Sequence, residues 1–277
     1  MASNVNSYAT LTELKAILGV SSTTDDVPMR KILEAASRAI EGYCNRRFYC
    51  TTETKYLDGT LTLWIPDLLS VTTLKTDEDG DGTFENTLAT TDYILYGAGG
   101  DDALNLYPRV RIEISEDSDY GSFANGIKKG VEIAGAWGYG DGTTATPYVT
   151  TSITGTVDTT TGLTLTLSAD GTIEVGHTIL CESEQMYVTA LGTLSATVER
   201  GVNGSTAAIH SAKTLYYYRY PRDIYQACID LSVALYQNRG KKGIQSERLG
   251  DYTYTMSREM MNGILEDSIP GYKRRRF

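Results

Sequence analysis

The chain has 277 residues, of which 41% are hydrophobic, so it can bury a full core as one large domain or as two smaller ones; we favour two. Charged residues make up 22% of the chain and its net charge is -10, which excludes a surface that binds nucleic acid throughout. Solubility is the simplest reason for this acidity.

Cysteine spacing and hydropathy exclude two further classes of protein. The four cysteines form no Cys-x-x-Cys pair, so we expect reduced thiols in the core, not a zinc ribbon or a disulfide scaffold. The first residues lack a basic region with an apolar run, and no stretch approaches the roughly twenty apolar residues of a membrane helix. We therefore expect a protein that is made in the cytoplasm and contacts no membrane.

The N-terminal part of the chain predicts a helical hairpin. Ser7–Gly19 fits a short helix with Thr10 as its cap and a glycine as its stop. Asp25–Phe48 fits a longer helix that Asp25 or Asp26 can cap. The apolar face of the longer helix recurs at three- and four-residue steps and consists of Met29, Ile32, Leu33, Ala36, Ala39, Ile40 and Tyr43.

From Thr51 to Tyr139 the apolar period changes to two, with β-branched and aromatic runs between Gly and Asp clusters, which predicts strands. The predicted strands are Lys55–Leu57, Leu61–Ile65, Val71–Thr76, Tyr93–Tyr96, Arg109–Ile114 and Val131–Trp137.

The helical period returns near the C-terminus. Pro221 suits the first turn of a helix whose apolar stripe runs from Ile224 to Leu235. A closing helix is predicted over Thr255–Ser268, and Lys241–Tyr254 is predicted to be a loop or a short extended arm.

Residues 148–218 differ from both flanks, because they are rich in threonine and alternate in short segments without a helical period. We interpret them as an all-β module, barrel-like or sandwich-like. We expect Arg200 and His210 to tie a loop to this module by hydrogen bonds and not to bind a ligand. The predicted strands are Ile153–Asp158, Leu163–Leu167, Thr178–Cys181, Met186–Leu191, Ala196–Glu199 and Thr214–Tyr218.

The two N-terminal helices, followed by Tyr56-Leu-Asp-Gly59 and Leu63–Lys75, resemble the head-tail connector (adaptor) proteins of tailed bacteriophages. The resemblance implies a structural protein of the virion neck that docks under the portal protein as a ring, expected to be dodecameric. Such a ring would extend the DNA channel, let DNA pass without sequence-specific binding, and present a surface to the next tail component, a stopper or nozzle protein. An acidic channel wall that repels DNA phosphates is then a second explanation for the net charge.

In the connectors that this chain resembles, a Trp-Gly-Tyr motif is followed closely by a Pro-led helix. Here Trp137-Gly-Tyr139 and Pro221 are separated by the β module, which resembles a small module of phage virion proteins. We therefore predict an α+β fold: residues 1–147 and 219–277 form a discontinuous connector domain, and 148–218 form an inserted all-β module. Such insertions succeed at exposed loops, so the module should project from the body.

One segment has the spacing of a cation site. Asp77, Asp79 and Asp81 occupy the first, third and fifth positions of a calcium loop, with Gly82 sixth. The twelfth position is Leu88 where a bidentate Glu is required, so we favour an acidic hairpin turn and keep the three aspartates only as a weak candidate for a metal site.

Motifs for catalysis are absent from the sequence. There are two histidines, no Gly-x-Ser-x-Gly elbow, no His-Glu-x-x-His and no phosphate loop with its lysine. We therefore expect no catalysis and no cofactor. Two alternative functions stay open: a carbohydrate-binding virion accessory protein that acts through the β module, and a glycan hydrolase with paired carboxylates.

The C-terminus, Gly271-Tyr-Lys-Arg-Arg-Arg-Phe277, is basic on an acidic protein. A solvated tail is one interpretation. The other is a portal-docking tail in which the aromatic residues Tyr272 and Phe277 are anchors, while Arg274, Arg275 and Arg276, after Lys273, pair with carboxylates of the partner. In some related connectors the C-terminal arm embeds in the portal.

Overall fold

The computed structural model describes residues 6–98, 106–239, 246–249, 252–255 and 258–274. Contacts divide the chain into two compact units, one of Met1–Arg46, Tyr148–Val202 and Thr206–Phe277, and one of Arg47–Pro147 and Asn203–Ser205. The first unit contains the helices and a β-barrel, and the second contains a sheet. The predicted α+β fold with a β module is confirmed, but the compact units differ from the predicted division because the barrel and the helices pack in one unit.

Among the described residues, the first unit has four α-helices: α1 (Leu11–Leu18), α2 (Asp26–Cys44), α3 (Arg222–Gln237) and α4 (Arg258–Ser268). Thr10 caps α1, because its Oγ1 accepts the Glu13 N–H at 3.4 Å, and Gly19 ends it in the left-handed conformation with φ 65°. No described helix is both long and apolar enough to span a membrane.

The predicted cap of α2 is wrong. Asp25 occupies the cap position, but its side chain makes no capping hydrogen bond. Its carboxylate instead accepts the Tyr236 hydroxyl at 2.6 Å and the Arg239 guanidinium at 3.0 Å, while Asp26 pairs with Lys15 at 2.6 Å. Both carboxylates therefore join α2 to other helices, and these tertiary partners replace the local cap.

The apolar face of α2 packs on α3. Met29, Leu33 and Ile40 are fully buried, whereas Ile32 is half-buried and Ala39 is exposed. A buried serine contributes to the contact as well: Ser37 Oγ donates to the Leu33 carbonyl at 2.8 Å and lies 3.5 Å from Cys228 Sγ of α3. Buried side chains of both helices therefore hold α2 against α3.

The second unit is an antiparallel six-stranded sheet in the order β1-β6-β2-β5-β4, with β3 paired to β2. Two predicted strands are one continuous strand, β2, and β3 was not predicted. β2 continues through Pro66 because the missing N–H falls in the register shift between Trp64 and Leu68 in its pairing with β5, and its pairing with β6 begins only at Leu68. The strands are β1 (Thr51–Leu57), β2 (Thr62–Thr76), β3 (Asn86–Leu88), β4 (Tyr93–Gly97), β5 (Arg109–Ile114) and β6 (Val131–Trp137).

Each residue of the Trp-Gly-Tyr motif at the end of β6 has its own structural role. Trp137 is buried and its Nε1–H donates to the Glu53 carbonyl at 3.0 Å. Gly138 has φ 147°, and a Cβ there would lie 2.1 Å from the carbonyl oxygen of Tyr49, so a side chain has no room. Tyr139 packs its ring 5.3 Å from that of Phe48. The motif therefore closes the sheet against the segment that precedes β1.

Residues 148–218 form a closed antiparallel barrel in the order β10-β11-β8-β7-β12-β9, which confirms the predicted β module. Alternate residues such as Ile153, Leu165 and Val198 point into its core. Closure leaves no strand edge unpaired. The strands are β7 (Tyr148–Val157), β8 (Thr164–Leu167), β9 (Thr178–Cys181), β10 (Glu184–Gly192), β11 (Ser195–Glu199) and β12 (His210–Tyr218).

The barrel is attached to the helical hairpin by hydrogen bonds as well as by its chain ends. The Leu11 N–H donates to the Val175 carbonyl at 3.1 Å, and Arg30 donates to the Thr189 carbonyl at 3.0 Å. On this side the module packs on the helices and does not project from them. The predicted arm near the C-terminus contains a hairpin, β13 (Ser246–Leu249) with β14 (Tyr252–Thr255).

The packing of α2 gives a first prediction. Leu33→Ala removes a fully buried side chain, so we expect a loss of about 2–5 kcal/mol in the free energy of unfolding. Val27→Ala, on the same helix but 57% exposed, is the matched control and should change it by less than about 0.5 kcal/mol. Urea denaturation followed by circular dichroism measures both, and equal effects would contradict the packing described above.

Candidate functional site

The predicted docking tail begins where α4 ends. Ile269 is fully buried and anchors this point, and Pro270–Tyr272 form a single 3-10 turn. The hydroxyl of Tyr272 then donates to the Asp223 carboxylate in the first turn of α3 at 3.4 Å. Tyr272, predicted as an anchor for a partner, thus contacts its own chain.

The next two tail residues lie on α2. The Arg274 N–H donates to the carbonyl of Cys44 at 2.8 Å, which satisfies an acceptor that the end of a helix leaves free. The ammonium of Lys273 lies 4.9 Å from the centre of the Tyr43 ring, within reach of a cation–π interaction. The base of the tail is therefore fixed by its own helices, whereas Arg275, Arg276 and Phe277 lie outside the described residues.

All four cysteines are free and buried, as predicted. Burial raises the pKa of Cys44 to about 12, although Arg46 and Lys273 lower it, and burial alone raises the pKa of Cys50 to about 12. Thiols with such pKa values hold their proton at neutral pH, and the thiolate is the reactive form. These cysteines therefore act as small apolar core residues.

The acidic segment after β2 is a turn between paired strands. The carboxylates of Asp77, Asp79, Asp81 and Glu85 lie within 4.8 Å of one another. The oxygens of Asp77 accept the N–H groups of Gly80 and Gly82 at 2.6 and 2.8 Å. Burial raises the pKa of Asp77, but these backbone hydrogen bonds outweigh it and leave the pKa below its ordinary value.

The other carboxylates of this turn also accept hydrogen bonds from backbone N–H groups. Asp79 accepts the Asp81 N–H, Asp81 accepts the Thr83 N–H, and Glu85 accepts the Glu78 N–H, at 3.1, 2.7 and 3.2 Å. Carboxylates that order the backbone are the signature of an acidic turn. The favoured interpretation from the sequence therefore agrees with the geometry, and the three aspartates remain no more than a weak metal candidate.

A buried ion pair holds the barrel loop that follows β11. Glu184 is fully buried and accepts two hydrogen bonds from Arg200, at 2.6 and 2.7 Å, and one from His210 at 2.8 Å. Arg200 also donates to the carbonyls of Gly162 and Ala208. The expectation that Arg200 and His210 tie a loop to the module is confirmed.

Hydrogen bonds set the charge state of this buried carboxylate. Burial raises the pKa of Glu184, but the hydrogen bonds from Arg200, the Ala208 N–H and His210 outweigh burial and hold the pKa below its ordinary value. Glu184 is therefore ionised at neutral pH inside the barrel, where its pairing with Arg200 compensates the cost of burying a charge.

The first unit also contains a pocket that was not predicted from the sequence. This tyrosine pocket has a volume of about 280 Å³, and its lining includes His177 and five tyrosines, which are Tyr8, Tyr217, Tyr218, Tyr220 and Tyr225. The His177 ring stacks on that of Tyr217, with the ring centres 4.8 Å apart and an angle of 7° between the ring planes. Arg219 and Arg222, both exposed, lie at its rim. The chain has 20 tyrosines against 4 phenylalanines, a composition that suits half-buried contact surfaces but does not show where they lie.

His177 does not have the properties of an acid–base catalyst. Burial lowers its pKa to about 4, and its Nδ1 accepts the Glu174 N–H at 3.2 Å. The imidazole is therefore neutral at pH 7, and the electron pair on Nδ1 already accepts a hydrogen bond. The pocket consequently offers neutral aromatic walls with a cationic rim, which suits binding of an apolar group beside an anion.

Residues 8–76 match the family described as "Phage gp6-like head-tail connector protein". This stretch runs from the segment before α1 to the last residue of β2, and the predicted resemblance is confirmed there. Among solved structures, a chain in the neck of an empty GTA particle, computed with C6 symmetry, is 15% identical with a TM-score of 0.33, over 96% of this chain and 90% of that one. No curated protein matches.

The buried ion pair gives a second prediction. Arg200→Met leaves Glu184 buried without its cation, so we expect a loss of about 3–5 kcal/mol in the free energy of unfolding at pH 7. The wild-type pKa of Glu184 is depressed, so its stabilising contribution is lost as pH falls through the folded pKa. In the variant, burial dominates and the pKa is raised, so Glu184 can take up a proton as pH falls.

The difference in unfolding free energy between the wild type and Arg200→Met should therefore become smaller as the pH falls from 7 to about 4.3, the ordinary pKa of glutamate. Thermal unfolding across this range measures it. Lys213→Met, which removes an exposed partner of Glu182, is the control and should have a small effect at every pH. A difference that stays constant with pH would contradict the role assigned to Glu184.

Proposed function

We propose that this chain is a structural protein of the virion neck, because its residues 8–76 match the family described as "Phage gp6-like head-tail connector protein". In this proposal several copies dock under the portal protein as a ring, extend the DNA channel and present an attachment surface to the next tail component. The family match over α1, α2, β1 and β2 is the observation that carries the proposal.

The chemistry of the described residues supports a structural role over a catalytic one. His177 is neutral and engaged, the buried thiols are protonated, and the buried carboxylate Glu184 is saturated with hydrogen bonds. None of these three kinds of group is therefore poised for proton transfer or nucleophilic attack. A carbohydrate-binding role through the barrel has less support, because both tryptophans, Trp64 and Trp137, lie in the sheet unit.

Charge supports passage of DNA without specific binding. The chain carries a net charge of -10, and a wall of this sign repels phosphates and forms few lasting contacts with them. The basic C-terminus is an exception to this sign. In the proposal its last residues pair with carboxylates of the portal protein, and the base of the tail, fixed by Cys44 and Tyr43, directs them.

The assembly is testable directly. Size-exclusion chromatography with light scattering, on the chain alone and mixed with its portal protein, should give a complex whose mass corresponds to a ring of copies on one portal. Absence of a complex under all salt and pH conditions would contradict the proposed function. The mass also gives the copy number, which we expect to be twelve from the resemblance to known connectors alone.

The tail is tested separately. Removal of Lys273–Phe277 should leave the fold intact and weaken portal binding, because it deletes the cationic groups that pair with the partner. Removal of only Arg275–Phe277 retains the hydrogen bond of Arg274 to Cys44 and should weaken portal binding to a similar degree. Calorimetric titration of portal protein with each variant measures the effect, and unchanged affinity in both would refute tail docking.

A further inference from the structure

The hairpin that joins β10 to β11 ends in two exposed leucines. Leu191 and Leu194 are 45% and 46% exposed, and Leu194 has a φ of 47°. Glycine and asparagine are favoured in that region, whereas a branched apolar side chain there is strained. The hairpin tip thus bears both backbone strain and apolar exposure, which either of those residues at position 194 would relieve. Strain that persists at an exposed site points to a function.

The tip is held rigidly. The Leu194 N–H donates to the Asp170 carboxylate at 2.8 Å, and its carbonyl accepts the Leu167 N–H at 2.9 Å. These two bonds fix the backbone on both sides of the turn. A preorganised apolar tip loses little entropy when it binds. The exposed carboxylate of Asp170 also places one negative charge beside the two leucines.

The tyrosine pocket described above is complementary to this tip. Its volume, about 280 Å³, is at the small end of ligand sites and suits one or two aliphatic side chains. Its walls are uncharged at neutral pH, and Arg219 and Arg222 at the rim are the cations that a neighbouring carboxylate would meet. Two arginines on a chain of net charge -10 do not form the extended basic track that nucleic acid requires.

A copy cannot fill its own pocket. Leu167, whose N–H donates to the Leu194 carbonyl of the tip, is the strand partner of Gly155 in β7. Tyr218, which lines the pocket, is the strand partner of Tyr148, the first residue of β7. The length of β7 between these two levels is roughly 20 Å at about 3.3 Å per residue. The tip of one copy therefore reaches a pocket only on another copy.

We propose that Leu191 and Leu194 of one copy insert into the tyrosine pocket of a neighbouring copy, with Asp170 facing Arg219 and Arg222. The tip and the pocket are different surfaces, so the contact is heterologous, and heterologous contacts generate rings when the rotation between copies closes. The inference rests on the proposed function and names the contact through which copies of the ring would bind one another.

The first test changes the tip. Leu194→Gly removes the side chain and the strain together, so the association constant between copies should fall at least tenfold while the melting temperature stays equal or rises. Leu163→Gly, at another exposed position on the barrel, is the matched control and should leave association unchanged. Native mass spectrometry of full-length chains, with and without portal protein, measures both. Wild-type association in the Leu194→Gly variant would overturn the contact.

The second test does not require a stable ring. Leu194→Cys combined with Arg222→Cys places one new thiol at the tip and one at the pocket rim, while the native thiols are buried and protonated. Mild oxidation of this double variant should give a ladder of disulfide-linked multimers. Each single variant should stop at dimers, and Leu163→Cys with Arg222→Cys should give no ladder beyond the background of its single variants.

The outcomes separate the contact from the proposed function. A ladder from the double variant, with no wild-type ring alone or on the portal, would leave the contact standing and refute the ring. A wild-type ring that gives no ladder and tolerates Leu194→Gly would refute the contact and leave the proposed function standing. A ring that binds portal normally but loses its partner in the tail only when Leu194 is changed would assign the tip to that partner, and the contact between copies would be wrong.

Discussion

Burial of the α2 face against α3 is the interaction on which the first unit depends. The two helices are far apart in sequence, and their contact excludes water around Ser37 and Cys228, where the hydroxyl and the thiol each find a partner. Three other parts of this unit attach to α2. The end of α2 accepts the Arg274 N–H, its first half contacts the barrel through Arg30, and its start contacts the end of α3 through Asp25.

A second constraint is that the barrel, a small module, buries polar groups that need hydrogen-bond partners. Six short strands close on themselves, so backbone donors and acceptors pair without an exposed edge. The long loop after β11 lies outside these strands. It is held by Glu184, whose carboxylate accepts hydrogen bonds from the guanidinium of Arg200 and from the N–H groups of Gly201 and Ala208. A buried charge is costly, and here its cost is offset because each oxygen of the carboxylate accepts at least two hydrogen bonds.

Two surface features of the first unit, in contrast, are not explained by the stability of the fold. The hairpin tip at Leu194 keeps a conformation and an exposure that a smaller or polar residue would avoid, while the tyrosine pocket keeps an apolar volume open near Arg222. Neither feature stabilises the isolated chain. Both are explained if the chain is one member of an assembly, since the contact then compensates strain and exposure that the free subunit bears.

Local sequence determined the type of nearly every element, because periods of 3.6 and 2 depend only on which residues must face a core. It also carried a resemblance to head-tail connectors, which the match over residues 8–76 supports, and it predicted a β module, which is a closed barrel. Tertiary structure decided what local patterns do not encode. The carboxylate of Asp25 has a helix N-terminus beside it in sequence, yet it binds Tyr236 and Arg239 in space. Likewise, the pocket combines residues from the N-terminus, the barrel and α3, and neither it nor the strained φ of Leu194 leaves a periodic trace, because each depends on chain segments meeting across the fold.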